Sequence, residues 1–301
     1  WDDAAGYLLP SSPNHRPLAV MLKKTQTVIK TKSNSETDKL VKNLIDSDLL
    51  RFTIQFFYKS ENGLRPFGTG VLALIHDVHF ILTASHVADY LTEDSNQLFI
   101  RVDKEKYINV IGDIKYTDID KSQGIDLAYI KIDKEMITPL SRPYKFLTID
   151  KISKHNRMLD ASNYCVLGFP EKNIRFNNGQ LDTGASFYLT SATNENPYEF
   201  YGYNKSDFFL VEMKGKGIDI ETGDKKKINT HFYGISGCGL WYIDFNQDPQ
   251  TNEYWLDYRL IGIMTEFKKG KYFCLVANKI HLFIEAFKVI EGFKFNETKK
   301  T

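Results

Sequence analysis

Cysteine is scarce in this sequence, and it contains neither a long apolar run nor a strong net charge. The 301 residues include three cysteines, which cannot all pair with one another, so a disulfide-built secreted scaffold is not expected. No apolar run approaches the roughly 20 residues that a membrane-spanning helix needs. The 39 basic and 38 acidic side chains leave a net charge of +1, which argues against nucleic acid or a membrane surface as partner.

The start of the chain and its composition narrow the class of protein further. The first residues, WDDAAGYLLPSSPNHRP, lack the basic-then-apolar order of a secretory signal. Together with the cysteine count, this leads us to expect a cytoplasmic protein. Hydrophobic residues make up 42% of the chain and charged residues 26%, an ordinary composition for a protein that buries a sizeable core.

Residues 1–47 are expected to form an arm followed by a short helix. Three prolines within residues 1–34 favour an irregular arm, with one short strand at LAVML. Ser35, followed three places on by Asp38, gives a start similar to a capping box. The apolar residues that follow recur at helical spacing: Leu40, Val41, Leu44 and Ile45.

Short strands are expected over most of the remaining chain. From Arg51 onwards, short runs rich in β-branched and aromatic residues are separated by turn residues. The first six runs are RFTIQFFY, GTGVLALI, HFILTAS, QLFIRV, KYINVIGDIKY and IDLAYIKI. The next six are NYCVLGF, GASFYLTSA, DFFLVEM, CGLWYIDF, YWLDYRLIGIMTEF and YFCLVAN. Two groups of about six strands predict an all-β chain built from two packed barrels or sandwiches.

One further helix is expected near the C-terminal end, in KIHLFIEAFKVIEGF. Its apolar residues share one helical face: Phe283, Ile284, Phe287 and Ile290.

Three short motifs carry the residue types of nucleophilic catalysis. FILTASHV places His86 where a strand ends, GIDLAYIKI places Asp126 at the start of an apolar strand, and GISGCG places Ser236 between two glycines. Each motif alone has a structural explanation as a turn histidine, a strand-entry cap or a tight turn. Their order, with separations of 40 and 110 residues, makes the combination much more specific.

The combination resembles the chymotrypsin-like serine proteases, whose histidine, aspartate and serine motifs occur in this order. CVLGFP (165–170) resembles the strand that opens the second barrel of that family, and LIGIMTEF (260–267) resembles the strand that lines its substrate cleft.

The resemblance covers residues 48–291 and implies two six-stranded antiparallel β-barrels. The expected bounds are about 48–135 for the first barrel, about 160–278 for the second, 279–291 for a C-terminal helix and 292–301 for a tail.

The resemblance also implies a serine endopeptidase that needs neither a cofactor nor a metal. His86 is expected to take the proton of the Ser236 hydroxyl during attack, and Asp126 to fix the tautomer of the histidine and stabilise the imidazolium. The backbone N–H groups of Gly234 and Ser236 are expected to form the oxyanion hole. The expected partner is a protein or peptide substrate.

Substrate preference follows from the same resemblance. The residue six before the nucleophile forms the floor of the primary pocket in that family, which assigns this role to Thr230. Tyr233 is expected at the mouth, and Thr265, Glu266 and Phe267 are expected to form the wall and to pair with substrate as an added strand. A neutral floor predicts an uncharged residue before the scissile bond, while Glu266 can attract a basic residue at a neighbouring subsite.

Three positions depart from the family pattern. Ile235 replaces the aspartate that pairs with a new N-terminus in zymogen-activated members, so activation by that route is not expected. Val87 replaces the cysteine that usually follows the histidine, which removes a disulfide and agrees with a reducing compartment. Cys238 and Gly239 replace the usual Gly-Pro.

Other site assignments fit the sequence less well. Cys238 is an alternative nucleophile, but the glycine spacing favours Ser236. An α/β-hydrolase elbow requires glycine at position 238 and an acid and base such as Asp257 and His281. A metal site would use His76, His79 and His86, but no neighbouring cysteine or carboxylate cluster completes a ligand set.

The sequence therefore favours an intracellular serine endopeptidase with a regulatory or effector role. A catalytically inactive relative that serves as a protein-binding module stays open, because the Cys238-Gly239 step can misplace the oxyanion loop. An all-β structural protein with three chance motifs is the third hypothesis. Residues 1–47 lie outside the resemblance and are the expected docking segment for a regulatory protein or a neighbouring domain.

Overall fold

Two curled antiparallel sheets carry most of the chain. The structure is a computed structural model, and it describes residues 5–7, 35–61, 63–93, 95–118, 124–155, 163–173, 175–177, 180–213, 216–218, 225–227, 232–247, 250 and 254–295.

The first sheet is built from the N-terminal half of the chain. It follows β1 (Ala5–Tyr7), which belongs to the second sheet, and contains β2 (Thr53–Ser60), β3 (Gly63–Ile75), β4 (Val78–Thr83), β5 (Leu98–Arg101), β6 (Tyr107–Asn109), β7 (Gly112–Tyr116), β8 (Ala128–Ile132) and β9 (Leu147–Thr148). The strand order is β6-β5-β2-β3-β4-β8-β7, and β9 pairs in parallel with β3.

The second sheet is built from the C-terminal half. Its strands are β10 (Tyr164–Gly168), β13 (Ser186–Thr190), β14 (Phe208–Glu212), β17 (Gly239–Gln247), β18 (Tyr254–Lys268) and β19 (Cys274–Lys279), in the order β1-β13-β10-β17-β18-β19-β14. Two separate hairpins are formed by β11 (Arg175–Asn177) with β12 (Gln180–Asp182) and by β15 (Lys216–Ile218) with β16 (Lys225–Lys227).

Helices are few and short. The segment before β2 comprises α1 (Ser35–Leu44), a π-helical turn (Ile45–Leu49) and α2 (Leu50–Phe52). The others are α3 (Ser85–Ala88), α4 (Lys134–Ser141), α5 (Glu195–Tyr201) and α6 (His281–Ile290), with 3-10 turns at Asp89–Thr92, Ile149–Lys151 and Glu171–Asn173. Among the described residues, none of these helices has the length and apolarity that crossing a bilayer requires.

One apolar core joins the helical segment to both sheets. Val41 and Ile45 are fully buried and pack in the same cluster as Phe80 of the first sheet, Trp241 of the second sheet and Phe287 of α6. The burial of these side chains is the main favourable contribution to association of the sheets. The N-terminal helix is thus packed into the body of the fold, and the expected boundary at residue 47 lies inside the helical segment.

The expected fold class is confirmed, and several local details differ. The run KYINVIGDIKY forms two strands, β6 and β7, instead of one. The C-terminal helix is shorter than expected, and Ile290 is 51% exposed instead of sharing the buried face. Helices α4 and α5 were not expected. The strand expected at LAVML lies outside the described residues.

Candidate active site

His86 and Asp126 are paired directly. β4 ends at Thr83, and the short helix α3 then places His86 on its first turn. The Nδ1 atom of His86 lies 2.6 Å from Oδ2 of Asp126, and the backbone N–H of His86 donates to Oδ1 at 3.0 Å. Asp126 is only 8% exposed, so its carboxylate holds the imidazole in one orientation and favours the tautomer with the proton on Nδ1.

Asp126 is in turn held by the second sheet. Its backbone N–H donates to Oδ1 of Asn278 at 2.9 Å, across 152 residues of sequence. Asn278 lies on β19 and is fully buried. This contact ties the loop that carries Asp126 to the sheet that carries Ser236. The sequence reasoning missed Asn278, because its role depends on how the two sheets are packed against each other.

Ser236 lies in a tight loop that leads into β17. The loop contains turns closed by the N–H of Ile235 to the carbonyl of Phe232 at 3.2 Å and the N–H of Cys238 to the carbonyl of Ile235 at 3.0 Å. Gly234 has φ of +91°, and a Cβ atom at this position would lie 2.6 Å from the carbonyl oxygen of Phe169. Glycine is therefore required there both by the left-handed backbone and by the space available.

Two backbone donors of this loop have no acceptor within the part of the chain that the structure describes. Among the described residues, no acceptor takes a hydrogen bond from the N–H of Gly234 or of Ser236. The carbonyl of Tyr233, on the same peptide plane as the N–H of Gly234, accepts from the N–H of Glu171 at 2.8 Å. Because the two groups of a trans peptide point in opposite directions, this bond directs the N–H of Gly234 away from Glu171.

His86 and Ser236 line the same cleft, which has a volume of about 550 Å³. Five other residues that the sequence assigned to the oxyanion hole or the substrate pocket also line it: Tyr233, Gly234, Thr265, Glu266 and Phe267. Of these, Thr265 is 5% exposed. Thr230, the expected floor of the primary pocket, lies outside the described residues.

The hydroxyl of Ser236 points to the wall of the cleft. It donates to the carbonyl of Thr265 at 3.4 Å, a long hydrogen bond. Within the part of the chain that the structure describes, it makes no hydrogen bond to the ring of His86.

Among the described residues, the wall strand has a partner strand on one side only from Thr265 onwards. At Met264 its N–H still donates to the carbonyl of Cys238 at 2.8 Å, and its carbonyl accepts from the N–H of Gly237 at 2.7 Å. Pairing between β17 and β18 ends at Gly239 and Ile263, whereas β18 stays paired with β19 as far as Lys268. The ring of Phe267 packs at 5.8 Å from the rings of both Phe232 and Tyr233. Glu266 is paired with Lys268 at 2.7 Å, so its charge is largely balanced within its own strand.

The opposite side of the cleft is aromatic and was not anticipated from the sequence. Tyr58, Phe67 and Tyr90 contact one another with ring centroids 4.7 to 6.0 Å apart. Tyr58 and Phe67 line the cleft together with Glu171. Tyr58 and Phe67 lie on the neighbouring strands β2 and β3, and Tyr90 lies in the 3-10 turn after α3, so alternation along a single strand gives no sign of their meeting.

Cys238 does not face the cleft. It is fully buried, and burial raises its pKa far above that of an ordinary thiol. A Cβ atom added to Gly168 would lie 3.1 Å from its Sγ, so the thiol fills the space behind the loop. A buried neutral thiol is a poor nucleophile, which disfavours the cysteine alternative. Cys165 and Cys274 are also buried and unpaired.

The residues of the remaining alternatives are engaged elsewhere. Asp257 forms an ion pair with Lys151, and Nε2 of His281 lies 4.0 Å from Asp207. The ring of His76 packs on Phe293 and that of His79 on Phe146, so these two histidines serve different aromatic contacts: centroid distances are 4.9 and 4.5 Å.

Among the known proteins compared with this chain, similar ones were found only as solved structures. No protein-family model matches the chain, and no curated protein matches it. The chain is similar to the inactivated protease paralogue S-I1 of the scabies mite, with 14% identity, a TM-score of 0.47, and coverage of 81% of this chain and 96% of that one. It is also similar to GrC, with 15% identity, a TM-score of 0.48, and coverage of 81% and 95%.

Proposed function

We propose that the protein is a serine endopeptidase of the chymotrypsin-like type, with Ser236 as nucleophile, His86 as general base and Asp126 as the residue that orients His86. The observation that carries the proposal is the hydrogen bond between His86 and the buried carboxylate of Asp126, at a cleft that Ser236 also lines. A serine hydroxyl needs such a base near neutral pH, because its high pKa keeps it protonated and a protonated hydroxyl is a weak nucleophile.

The chemistry begins with rotation of the Ser236 hydroxyl from the carbonyl of Thr265 to Nε2 of His86. Nε2 takes the proton while Oγ attacks the carbonyl carbon of the substrate, and Asp126 stabilises the resulting imidazolium. The imidazolium then donates the proton to the leaving amine, and water hydrolyses the acyl-enzyme by the reverse sequence. Catalytic hydrogen bonds are often loose in a free enzyme and tighten in the complex, which fits the long bond of the Ser236 hydroxyl.

The developing oxyanion is assigned to the N–H groups of Gly234 and Ser236. Their lack of another acceptor among the described residues supports this assignment, because a preorganised donor needs no rearrangement when charge develops. Such a donor typically contributes about 3–4 kcal/mol to transition-state stabilisation.

Substrate is proposed to bind as an extended strand along residues 265–267. The edge of β18 supports this mode, since among the described residues its pairing with β17 ends at Ile263 while its pairing with β19 continues to Lys268. The aromatic contacts of Phe232, Tyr233 and Phe267 favour an uncharged side chain before the scissile bond. The balance of Glu266 by Lys268 leaves it little excess charge for selecting a basic residue.

A protein-binding module without catalysis is the second candidate. It is favoured by one observation, the hydrogen bond of the Ser236 hydroxyl to Thr265 instead of to His86. In this case the cleft would hold an extended peptide on the edge of β18 and leave it intact.

Turnover of a peptide library, followed by mass spectrometry, separates the two candidates. The enzyme is expected to cleave a subset of peptides, and both Ser236→Ala and His86→Ala are expected to abolish cleavage, with a loss on the order of a million-fold for the nucleophile. Cys238→Ala is the matched control and should retain cleavage. Retention of peptides by the chain without any cleavage would favour the binding module and contradict the proposal.

A further inference from the structure

Thr69 of the first sheet donates two hydrogen bonds to the Ser236 loop. Its backbone N–H donates to the carbonyl of Ser236 at 2.8 Å, and its hydroxyl donates to the carbonyl of Gly234 at 2.7 Å. Thr69 lies on β3 and is fully buried, so its own donor groups are shielded from water. The loop that carries the nucleophile is therefore held by a residue of the opposite sheet, 165 positions away from Gly234 in the sequence.

Thr69 is itself fixed by its neighbours. Its carbonyl accepts a hydrogen bond from the hydroxyl of Thr83 at 2.8 Å. Its own hydroxyl oxygen accepts from the N–H of Phe169 at 3.4 Å. Since the carbonyl of Gly234 can only accept, the single proton of the Thr69 hydroxyl must point to it. The donor geometry is thus set before any substrate binds.

The position of this bond matters because Gly234 carries one of the two donor N–H groups and, as a glycine, restricts its own backbone little. Its φ of +91° lies in a region that glycine enters as readily as the right-handed regions. The peptide before Gly234 is held by Glu171 through the carbonyl of Tyr233, and the peptide after it is held by Thr69. With both planes fixed, Gly234 cannot rotate, and the direction of its N–H is fixed as well.

We propose that Thr69 is a positioning residue whose hydroxyl holds the oxyanion loop in the conformation that presents the N–H groups of Gly234 and Ser236 to the cleft. This inference rests on the proposed function of Ser236. Without the hydroxyl, the peptide between Gly234 and Ile235 keeps only the 3.2 Å bond from the N–H of Ile235 to the carbonyl of Phe232. This peptide lies between the two peptides that carry the donor N–H groups, so its motion turns those groups away from their common point for part of the time. Substrate binding through residues 265–267 does not depend on this peptide.

If the Thr69 hydroxyl only stabilised the fold, its removal would lower stability without lowering kcat. Three variants separate this structural role from the positioning role. Thr69→Val removes the hydroxyl but keeps the shape and the backbone N–H. Thr69→Ser keeps the hydroxyl. Thr53→Val removes another fully buried hydroxyl of the first sheet, one that donates to the carbonyl of Leu49 at 2.8 Å. Thr69→Val loses the bond to Gly234 and the long bond from Phe169, whereas Thr53→Val loses one bond, so both variants should lose stability and Thr69→Val somewhat more.

The readouts are kcat, KM and the affinity for a peptide aldehyde, whose hemiacetal oxygen occupies the oxyanion hole. In Thr69→Val, kcat is expected to fall about 10- to 100-fold, which does not exceed the fall caused by complete removal of one oxyanion donor. KM is expected to stay within about twofold of its value in the unaltered chain. Aldehyde affinity should fall in parallel. Thr69→Ser should restore most of the activity, and Thr53→Val should leave kcat unchanged.

The outcomes that overturn the inference are distinct from those that overturn the proposed function. Unchanged kcat in a folded Thr69→Val, or a loss in Thr69→Ser equal to that in Thr69→Val, refutes the positioning role and leaves the enzyme standing. If the unaltered chain neither turns over peptides nor binds the aldehyde, both proposals fail. If Thr69→Val does not fold, Thr69→Cys provides a small side chain with a much weaker donor, and unchanged kcat in that variant refutes the role equally.

Discussion

Replacement of Gly237 by alanine should destabilise the fold far more than an alanine at another left-handed glycine. A Cβ atom at Gly237 would lie 2.0 Å from the carbonyl oxygen of Thr69 and 2.2 Å from Oγ1 of Thr83, whereas ordinary contacts begin at 3.4 Å. The Ser236 loop would have to move away from the first sheet by more than an ångström. That shift breaks the two bonds that Thr69 donates to the carbonyls of Ser236 and Gly234.

The expected cost is about 3–5 kcal/mol, of which about 1–2 kcal/mol is the left-handed backbone and the remainder is two buried hydrogen bonds. Gly202→Ala is the matched control, because Gly202 has φ of +74° and no atom within 4 Å of an added Cβ. It should cost only about 1–2 kcal/mol. Urea unfolding of both variants measures the difference. Equal losses in the two variants would refute the close packing of the loop against the first sheet.

Two further predictions concern groups away from the nucleophile. Burial acts to raise the pKa of Glu291, but hydrogen bonds from Lys131 and Tyr129, both at 2.8 Å, lower it below the usual 4.5. The ionised Glu291 carboxylate therefore stabilises the fold above its unfolded pKa, and this contribution is lost as pH falls through its folded pKa. In urea unfolding, Glu291→Gln should cost about 1–3 kcal/mol at pH 7 and nearly nothing at pH 3. A cost that is equal at the two pH values would contradict this assignment. Because Cys238 is buried and burial raises its pKa, a thiol reagent should modify it only in denaturant. Cys238→Ala should retain peptide turnover within about twofold. Rapid modification of Cys238 in the native chain would contradict its buried position.

Strand alternation is the part of the fold that the sequence expresses most clearly. The run at 254–267 is observed as β18 (Tyr254–Lys268): apolar and polar residues alternate over 256–259, and a continuous buried stretch follows from Leu260 to Thr265. Helices α4 and α5 were missed because each contains a proline, Pro139 and Pro197, which reads as an interruption. A signal for α5 was present, since Asn194 caps its first turn and Gly202 ends it.

The contacts of the candidate site also differ in whether the sequence allows them to be predicted. The hydrogen bond between His86 and Asp126 could be anticipated, because both residues stand in short motifs of a known order. Thr69 and Asn278 could not, since each is one polar residue within an ordinary apolar strand. Their contacts arise only when the two sheets meet, and no local periodicity encodes that meeting. The catalytic roles of His86, Asp126 and Ser236 stay predictions that rest on chemistry.

The central claim is that His86 activates the hydroxyl of Ser236. The most direct measurement is reaction of the folded chain with a phosphonate that modifies activated serines, followed by peptide mapping. We expect one adduct, on Ser236, at a rate that falls by several orders of magnitude in His86→Ala and is unchanged in Cys238→Ala. Modification at the same rate in His86→Ala, or no adduct on Ser236 in the unaltered chain, would contradict the claim.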